Sequence, residues 1–167
     1  MPKISLFVAR LIWLLACVFA SSGVCAQALK TVCRFSSATG VAFGVYDDGS
    51  PVTRDTTANV AINCSRNGGP QNVTVTVSLA PSATSGSIST RRMRQGSGDT
   101  LTYNLYRDSA RAQVWGQTTG VDTMTQMLSI PNNSSMSATF TIFGRIGALQ
   151  NVSAGSYADS VVATVSY

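Results

Sequence analysis

The sequence predicts an all-β sandwich. Three observations carry the prediction. Apolar residues recur at every second position in one segment after another. Clusters of turn residues separate those segments. After position 27 there is no helix-length stretch with apolar residues at i, i+3, i+4 and i+7.

Taken in chain order, short strands are expected at 31–36 and 41–46. Val60, Ile62 and Cys64 then alternate with Asn59, Ala61 and Asn63. Val73, Val75, Val77 and Leu79 alternate with Thr74, Thr76 and Ser78. Leu101, Tyr103 and Leu105 alternate with Thr102, Asn104 and Tyr106. A strand follows at 123–130, and then Met136, Ala138, Phe140 and Ile142 alternate with Ser137, Thr139 and Thr141. Val161, Ala163, Val165 and Tyr167 close the chain on the same period. Each segment offers one apolar face and one Thr/Ser/Asn face, as an antiparallel strand with one wet side requires. Breakers stand between them: Asp47-Asp48-Gly49-Ser50-Pro51, Asn67-Gly68-Gly69-Pro70, Gly96-Ser97-Gly98-Asp99 and Pro131-Asn132-Asn133. About seven or eight strands at such intervals argue for a sandwich. The last one runs to Tyr167 without a following turn, so it has a protected edge or an unfilled place beside it.

Composition narrows function. The 167 residues carry 12 Lys+Arg, 7 Asp+Glu and no His, for a net charge of +5. All seven acids are Asp. Without His there is no Ser-His-Asp or Cys-His nucleophile, no His-ligated zinc and no imidazole base. Without Glu, acid–base chemistry would fall on Asp, Tyr, Lys or a thiol. No catalytic, cofactor or metal site is expected, and the protein reads as a non-enzyme.

The first 26 residues read as a secretory signal peptide. Lys3 and Arg10 supply the positive start. An apolar run from 11 to 20 follows, too short to cross a bilayer comfortably, and Val24-Cys25-Ala26 offers a small-residue cleavage site before Gln27. Leu14-Leu15-Ala16-Cys17 resembles a lipoprotein box, but the apolar run continues past Cys17, which argues against cleavage there. The working domain is then 27–167, with 141 residues, ten cations against seven acids, and Cys33 and Cys64 left. Two cysteines in an exported chain read as one disulfide. Closing a loop of about 30 residues, it would contribute roughly 3–4 kcal/mol in the chain-entropy model.

Three other features have two readings each. Arg91, Arg92 and Arg94 form the basic run, either a surface-binding loop for anions or a solvated loop between strands. No aromatic platform surrounds it, which argues against nucleic acid. The aspartates sit beside Gly, Ser or Thr and read as turn formers rather than carboxylate pairs. Trp115 reads as a packed aromatic.

An ordered set of short motifs resembles the spore coat protein U domain family, which includes the pilins of archaic (Csu-type) chaperone–usher pili. The set begins with Cys33 and Val41-Ala42-Phe43-Gly44-Val45-Tyr46-Asp47. Cys64, Arg91 to Met93 and Leu101-Thr102-Tyr103-Asn104-Leu105-Tyr106-Arg107-Asp108 follow. It ends with Val114-Trp115-Gly116, Phe143-Gly144-Arg145-Ile146 and Gly155-Ser156-Tyr157-Ala158-Asp159-Ser160-Val161. The resemblance implies an immunoglobulin-like β-sandwich lacking its last strand. A periplasmic chaperone, and later a neighbouring pilin subunit, would fill the gap by donor-strand complementation.

On that reading, Val161, Ala163, Val165 and Tyr167 are the expected acceptor-groove and chaperone contact. The implied partners are a periplasmic chaperone, an outer-membrane usher, neighbouring pilin subunits and a host or abiotic surface. The route is export, periplasmic transit, then the cell surface. Only six residues, Gln27 to Val32, precede Cys33, and a donor segment needs about ten, so the chain is expected to accept a strand and donate poorly, as a tip subunit would. Arg91–Arg94 and the segment 121–127 are the candidate surface contacts. The alternative is a secreted spore-coat or carbohydrate-binding module.

Overall fold

The structure is a computed structural model and describes residues 30–167. The expected leader lies outside the described residues. Eight strands follow one another: β1 Lys30–Ala38, β2 Arg54–Asn67, β3 Gln71–Leu79, β4 Arg91–Arg94, β5 Thr100–Tyr106, β6 Met124–Ile130, β7 Ser135–Ile146 and β8 Ala163–Ser166. They form two sheets, ordered β1-β2-β7-β5-β4 and β6-β3-β8. Every pairing is antiparallel.

The long β2–β7 ladder is the spine of the first sheet, running in unbroken register from Arg54 opposite Ile146 to Ser65 opposite Ser135. Residues directly opposite in an antiparallel ladder share a face. Ala58, Val60, Ile62 and Cys64 therefore join Ala138, Phe140, Ile142 and Ile146 on one buried face. The other face is polar and self-satisfied. Thr141 Oγ1 donates to Asn59 Oδ1 at 3.0 Å, and Asn63 Nδ2 donates to Ser137 Oγ at 3.0 Å. From the second sheet, Val73, Val75, Val77 and Leu79 of β3 close the core. Trp115 locks the two layers together. It is fully buried, lies 6.3 Å from the Phe140 ring, and donates its indole N–H to Val77 O at 2.9 Å.

Cys33 and Cys64 are bonded, with sulfurs 2.03 Å apart. They face each other across the β1–β2 ladder, so the bridge staples an outermost strand to the spine.

Two sequence expectations change. Residues 41–46 form no strand, because no backbone pairs with them to make a ladder and Gly44 turns the chain at a φ of +72°. The basic run is not a loop: Arg91–Arg94 is β4, paired with β5. Arg91 is also not a surface contact, since it is fully buried. Its Nη1 donates to Asn104 Oδ1 at 2.8 Å and to Ile88 O at 3.3 Å. Its Nη2 donates to Trp115 O at 2.8 Å, Ala80 O at 3.0 Å and Leu79 O at 3.3 Å. A guanidinium can be buried here because five oxygens converge on its planar fork. Arg92 and Arg94 point the other way and are exposed. Charges on the outermost strand of a sheet oppose edge-to-edge aggregation.

Candidate strand-acceptor groove

The two sheets do not close on each other along one side. Each ends there in a strand with one free edge: β1 in the larger sheet and β8 in the smaller. Their Cα atoms come within 8 Å, yet no ladder joins them.

The side chains on this side are core-facing but under-covered. In β1, Cys33 opposite Cys64 is buried. Phe35 lies opposite the fully buried Ile62, hence on the same inner face, yet it is 40% exposed. In β8, Val165 and Ala163 lie opposite the buried Val77 and Leu79 and are only half-buried. Val161 is also half-buried, and Tyr167, two residues beyond Val165, is exposed. All four residues expected at the groove edge therefore lie on or beside β8. The first three pack against the core, and Tyr167 does not.

The chain beyond β1 continues the same side. Residues 41–46 cross onto the inner face of β7, where Val41 and Phe43 rest on Gly144. A Cβ at Gly144 would stand 2.9 Å from both Phe43 Cζ and Val41 Cγ1, so the close approach requires glycine. Phe43 is buried and meets the Tyr103 ring edge-on at 5.7 Å. Thr56 Oγ1 donates to Ala42 O at 2.9 Å, and Arg54 Nε donates to Phe43 O at 2.7 Å. The Tyr46 hydroxyl donates to Gly147 O at 3.0 Å and accepts from Gln150 N at 2.8 Å.

The facing wall is the segment 152–157, which bends at Ala154 and Gly155. Ser153 donates to Asp99 Oδ2 from its amide at 2.9 Å and its hydroxyl at 2.6 Å. Gln95 Nε2 donates to Ala154 O at 3.1 Å, and Tyr157 OH donates to Ser153 O at 2.7 Å. Just beyond, Arg94 and Ala158 exchange backbone hydrogen bonds at 2.8 and 3.1 Å. Asp159 then anchors the turn into β8. Its Oδ2 accepts from Tyr103 OH at 2.7 Å, and its Oδ1 accepts from Thr84 N and Oγ1 at 3.1 and 2.9 Å.

Between the walls lies a cavity of about 670 Å³, floored by the core residues Leu101 and Ile146 and the half-buried Met93. Among the described residues, no backbone hydrogen bond joins 41–46 to 152–157. The arrangement is a trough with an apolar floor and two walls that form no ladder with each other. Chemically, it can take an extended chain, with backbone bonded to the walls and alternate side chains turned inward.

The carboxylates that hold the second wall give it a pH dependence. Burial raises the Asp159 pKa, but neighbouring hydroxyl and amide donors, Tyr103 and Thr84 among them, outweigh it, leaving the group below the usual carboxylate value. The Ser153 hydroxyl, then its amide, lower Asp99. A depressed folded pKa contributes stability above the unfolded value of about 3.9 and loses it as pH falls through the folded one. Tyr103 is raised, first by burial and then by its bond to Asp159. Its contribution is complete below pH 10 and is lost as pH rises further. Stability is therefore expected to fall below about pH 4 and above about pH 10. Urea midpoints against pH check this: Asp159→Asn should flatten the acid arm, and an unchanged acid arm in that variant would contradict the assignment.

The segment 121–127 presents Val121 and Met127 to solvent, at 64% and 67% exposure. Among the described residues no cluster of three His, Cys, Asp or Glu side chains is placed to hold a metal ion.

The two antiparallel sheets define an immunoglobulin-like β-sandwich. The chain belongs to the spore coat protein U domain family, whose model matches residues 18–164. It is 35% identical over 97 residues to Protein U of Myxococcus xanthus, covering 57% of this chain and 51% of that protein. It is also similar in fold to a chain in the crystal structure of the CsuC–CsuE chaperone–tip adhesion subunit pre-assembly complex from archaic chaperone–usher Csu pili of Acinetobacter baumannii. That match has a TM-score of 0.54 at 20% identity and covers 83% of this chain and 40% of the other. The chain thus spans about half the length of the curated relative it matches, and less of the structural one.

Proposed function

We propose that the protein is a subunit of a secreted surface fibre, assembled by a periplasmic chaperone and an outer-membrane usher through donor-strand complementation. The observation that carries this reading is the trough between 41–46 and 152–157, together with the unpaired outer edges of β1 and β8. Family membership and the likeness to a chain of a chaperone–subunit complex support it. The signal peptide, 1–26, takes the chain to an oxidising compartment, consistent with the Cys33–Cys64 bridge. The chaperone fills the groove in transit, and a neighbouring subunit replaces it in the fibre. The short stretch from Gln27 to Cys33 makes this a subunit that accepts a strand and donates poorly, as at a tip. Arg92, Arg94 and 121–127 are its candidate surface contacts.

Coexpression with candidate periplasmic chaperones tests the core of the reading. The protein alone is expected to aggregate, and with its chaperone to copurify as a soluble complex whose crosslinks map to β8 and 41–46. A monomer of full stability without any partner would sink the reading. N-terminal sequencing of exported protein tests the tip assignment, which a mature start near residue 15 or earlier would remove.

A further inference from the structure

The smaller sheet has a second outer edge, on the side away from β8: the strand β6. Among the described residues, no backbone N–H or C=O of β6 bonds outside its ladder with β3. A bare sheet edge is a template for another chain, and charge, proline or shortness blunts it. The other three outermost strands carry such a guard. β1 holds Lys30 and Arg34, β4 is four residues long with Arg92 and Arg94 outward, and β8 is four residues long. β6 has none: Met124-Thr125-Gln126-Met127-Leu128-Ser129-Ile130 runs seven residues without a charge or a proline. Its side chains are under-covered on both faces. Gln126 lies opposite the fully buried Val75, hence on the inner face, yet it is exposed. Met124, opposite the fully buried Val77, is only half-buried. On the outer face Met127 is largely in solvent.

We infer that β6 pairs antiparallel with the β6 of a second copy of this chain, about a two-fold axis at Met127. That register sets Met127 against Met127, Gln126 against Leu128, Thr125 against Ser129 and Met124 against Ile130. Every pair matches inner face with inner face and outer with outer, as a continuous sheet requires. The two small sheets then join as one, in the order β8-β3-β6-β6-β3-β8. Every second residue of an edge strand turns its N–H and C=O outward, so the new ladder carries about six to eight hydrogen bonds. Charge selects both the occupant and the direction. An uncharged strand meets no like charge in its own copy, whereas β4 against β4 would crowd Arg92 and Arg94. Asp122 stands two residues before β6. Antiparallel pairing places it opposite the neutral Asn132 of the second copy, and parallel pairing would bring the two Asp122 carboxylates together. The two-fold closes the assembly at a dimer. β6 lies away from β1 and β8, so the pairing stands whether or not a strand is accepted there.

The test uses the exported protein in its soluble form, alone or chaperone-bound. Met127→Cys, treated with diamide to join two thiols as one disulfide, is expected to run as a covalent dimer on a non-reducing gel. Thr74→Cys, exposed on the same face but one strand further in, should give about tenfold less dimer. In sedimentation equilibrium the unmodified protein should dimerise, and Met127→Lys, which sets two ammonium groups together, should weaken the dimer by about tenfold or more. Its urea midpoint should stay that of the unmodified protein. Mixing Met127→Lys with Met127→Asp copies should restore the dimer, because the two-fold places these positions face to face. Equal crosslinking at 74 and 127, or a dimer that Met127→Lys leaves intact, would overturn the pairing. So would a dimer that vanishes when a chaperone binds, which would move the contact to the β1 and β8 side. A protein that stays monomeric at every concentration would overturn it as well. If such a monomer still bound an unrelated extended peptide along β6, the edge would serve a different chain.

Discussion

Arg91→Met is expected to lower the unfolding free energy by about 3 kcal/mol or more. The side chain is fully buried, and its two Nη atoms bind four carbonyls and the Asn104 amide oxygen. Methionine fills much of the volume but donates nothing. The Leu79, Ala80 and Trp115 carbonyls would then lose their donor inside the core, each at a desolvation cost of about 1–3 kcal/mol if water cannot reach it. Against a typical total of roughly 5–15 kcal/mol, that loss leaves little folded protein.

The burial of this cation is itself costly. Desolvation lowers the Arg91 pKa, partly offset by Tyr103, Asp159 and Asp122. Arginine nevertheless stays charged in proteins, so the cost is met by hydrogen bonding and not by neutralisation. Arg91→Lys keeps the charge but not the fork and cannot reach both Trp115 O and Asn104, so it should lose most of the same stability. Arg92→Ala and Arg94→Ala, on the solvent side of the same strand, should stay within about 0.5 kcal/mol of the unmodified protein. Urea unfolding followed by Trp115 emission reads all four. Equal small effects across them would restore the basic run as a simple surface feature.

That contrast within one strand shows where sequence reading stops. Alternation located β2, β3, β5, β7 and β8, because burying one face of a strand leaves a period-2 trace in the sequence. Arg-Arg-Met-Arg has no clear trace: Met93 faces inward, but its inward neighbour Arg91 is as charged as the outward Arg92 and Arg94. What makes Arg91 a core residue is the convergence of oxygens from positions 79, 80, 88, 104 and 115, and no local pattern encodes that. The segment 41–46 failed in the opposite sense. Val41 and Phe43 do turn inward, so the side-chain pattern is strand-like, but a strand also needs a backbone partner. Half of the groove was legible for the same reasons. Val161, Ala163 and Val165 lie on an alternating terminal strand. The wall at 152–157 reads as Gly/Ser/Ala loop, and only its bonds to Asp99, Gln95 and Arg94 place it opposite Val41 and Tyr46.

Gly144→Val should disable the groove from beneath. The Cβ alone would sit 2.9 Å from both Phe43 Cζ and Val41 Cγ1, closer than real Cβ contacts allow, and two further methyls deepen the overlap. β7 is held on both sides, by β2 and by β5, so it cannot retreat. The segment 41–46 is held only by side-chain bonds to its carbonyls and by Tyr46, so it is the part that moves. Overpacking of this kind costs about 1–3 kcal/mol. The larger effect is on strand capture, because the displaced segment is one wall of the trough. Copurification with the chaperone should fall by at least tenfold while the β2–β7 spine and the disulfide persist. The cause can be separated from general damage by a double-mutant cycle. Phe43→Ala alone should destabilise by about 3 kcal/mol or more through the lost aromatic packing. In its presence Gly144→Val should cost less, because the Phe43 atoms it strikes are gone and only Val41 Cγ1 remains in its way, giving a coupling of about 0.5–3 kcal/mol. If the two substitutions add without coupling, Phe43 does not rest on Gly144, and the wall of the groove is held by something else.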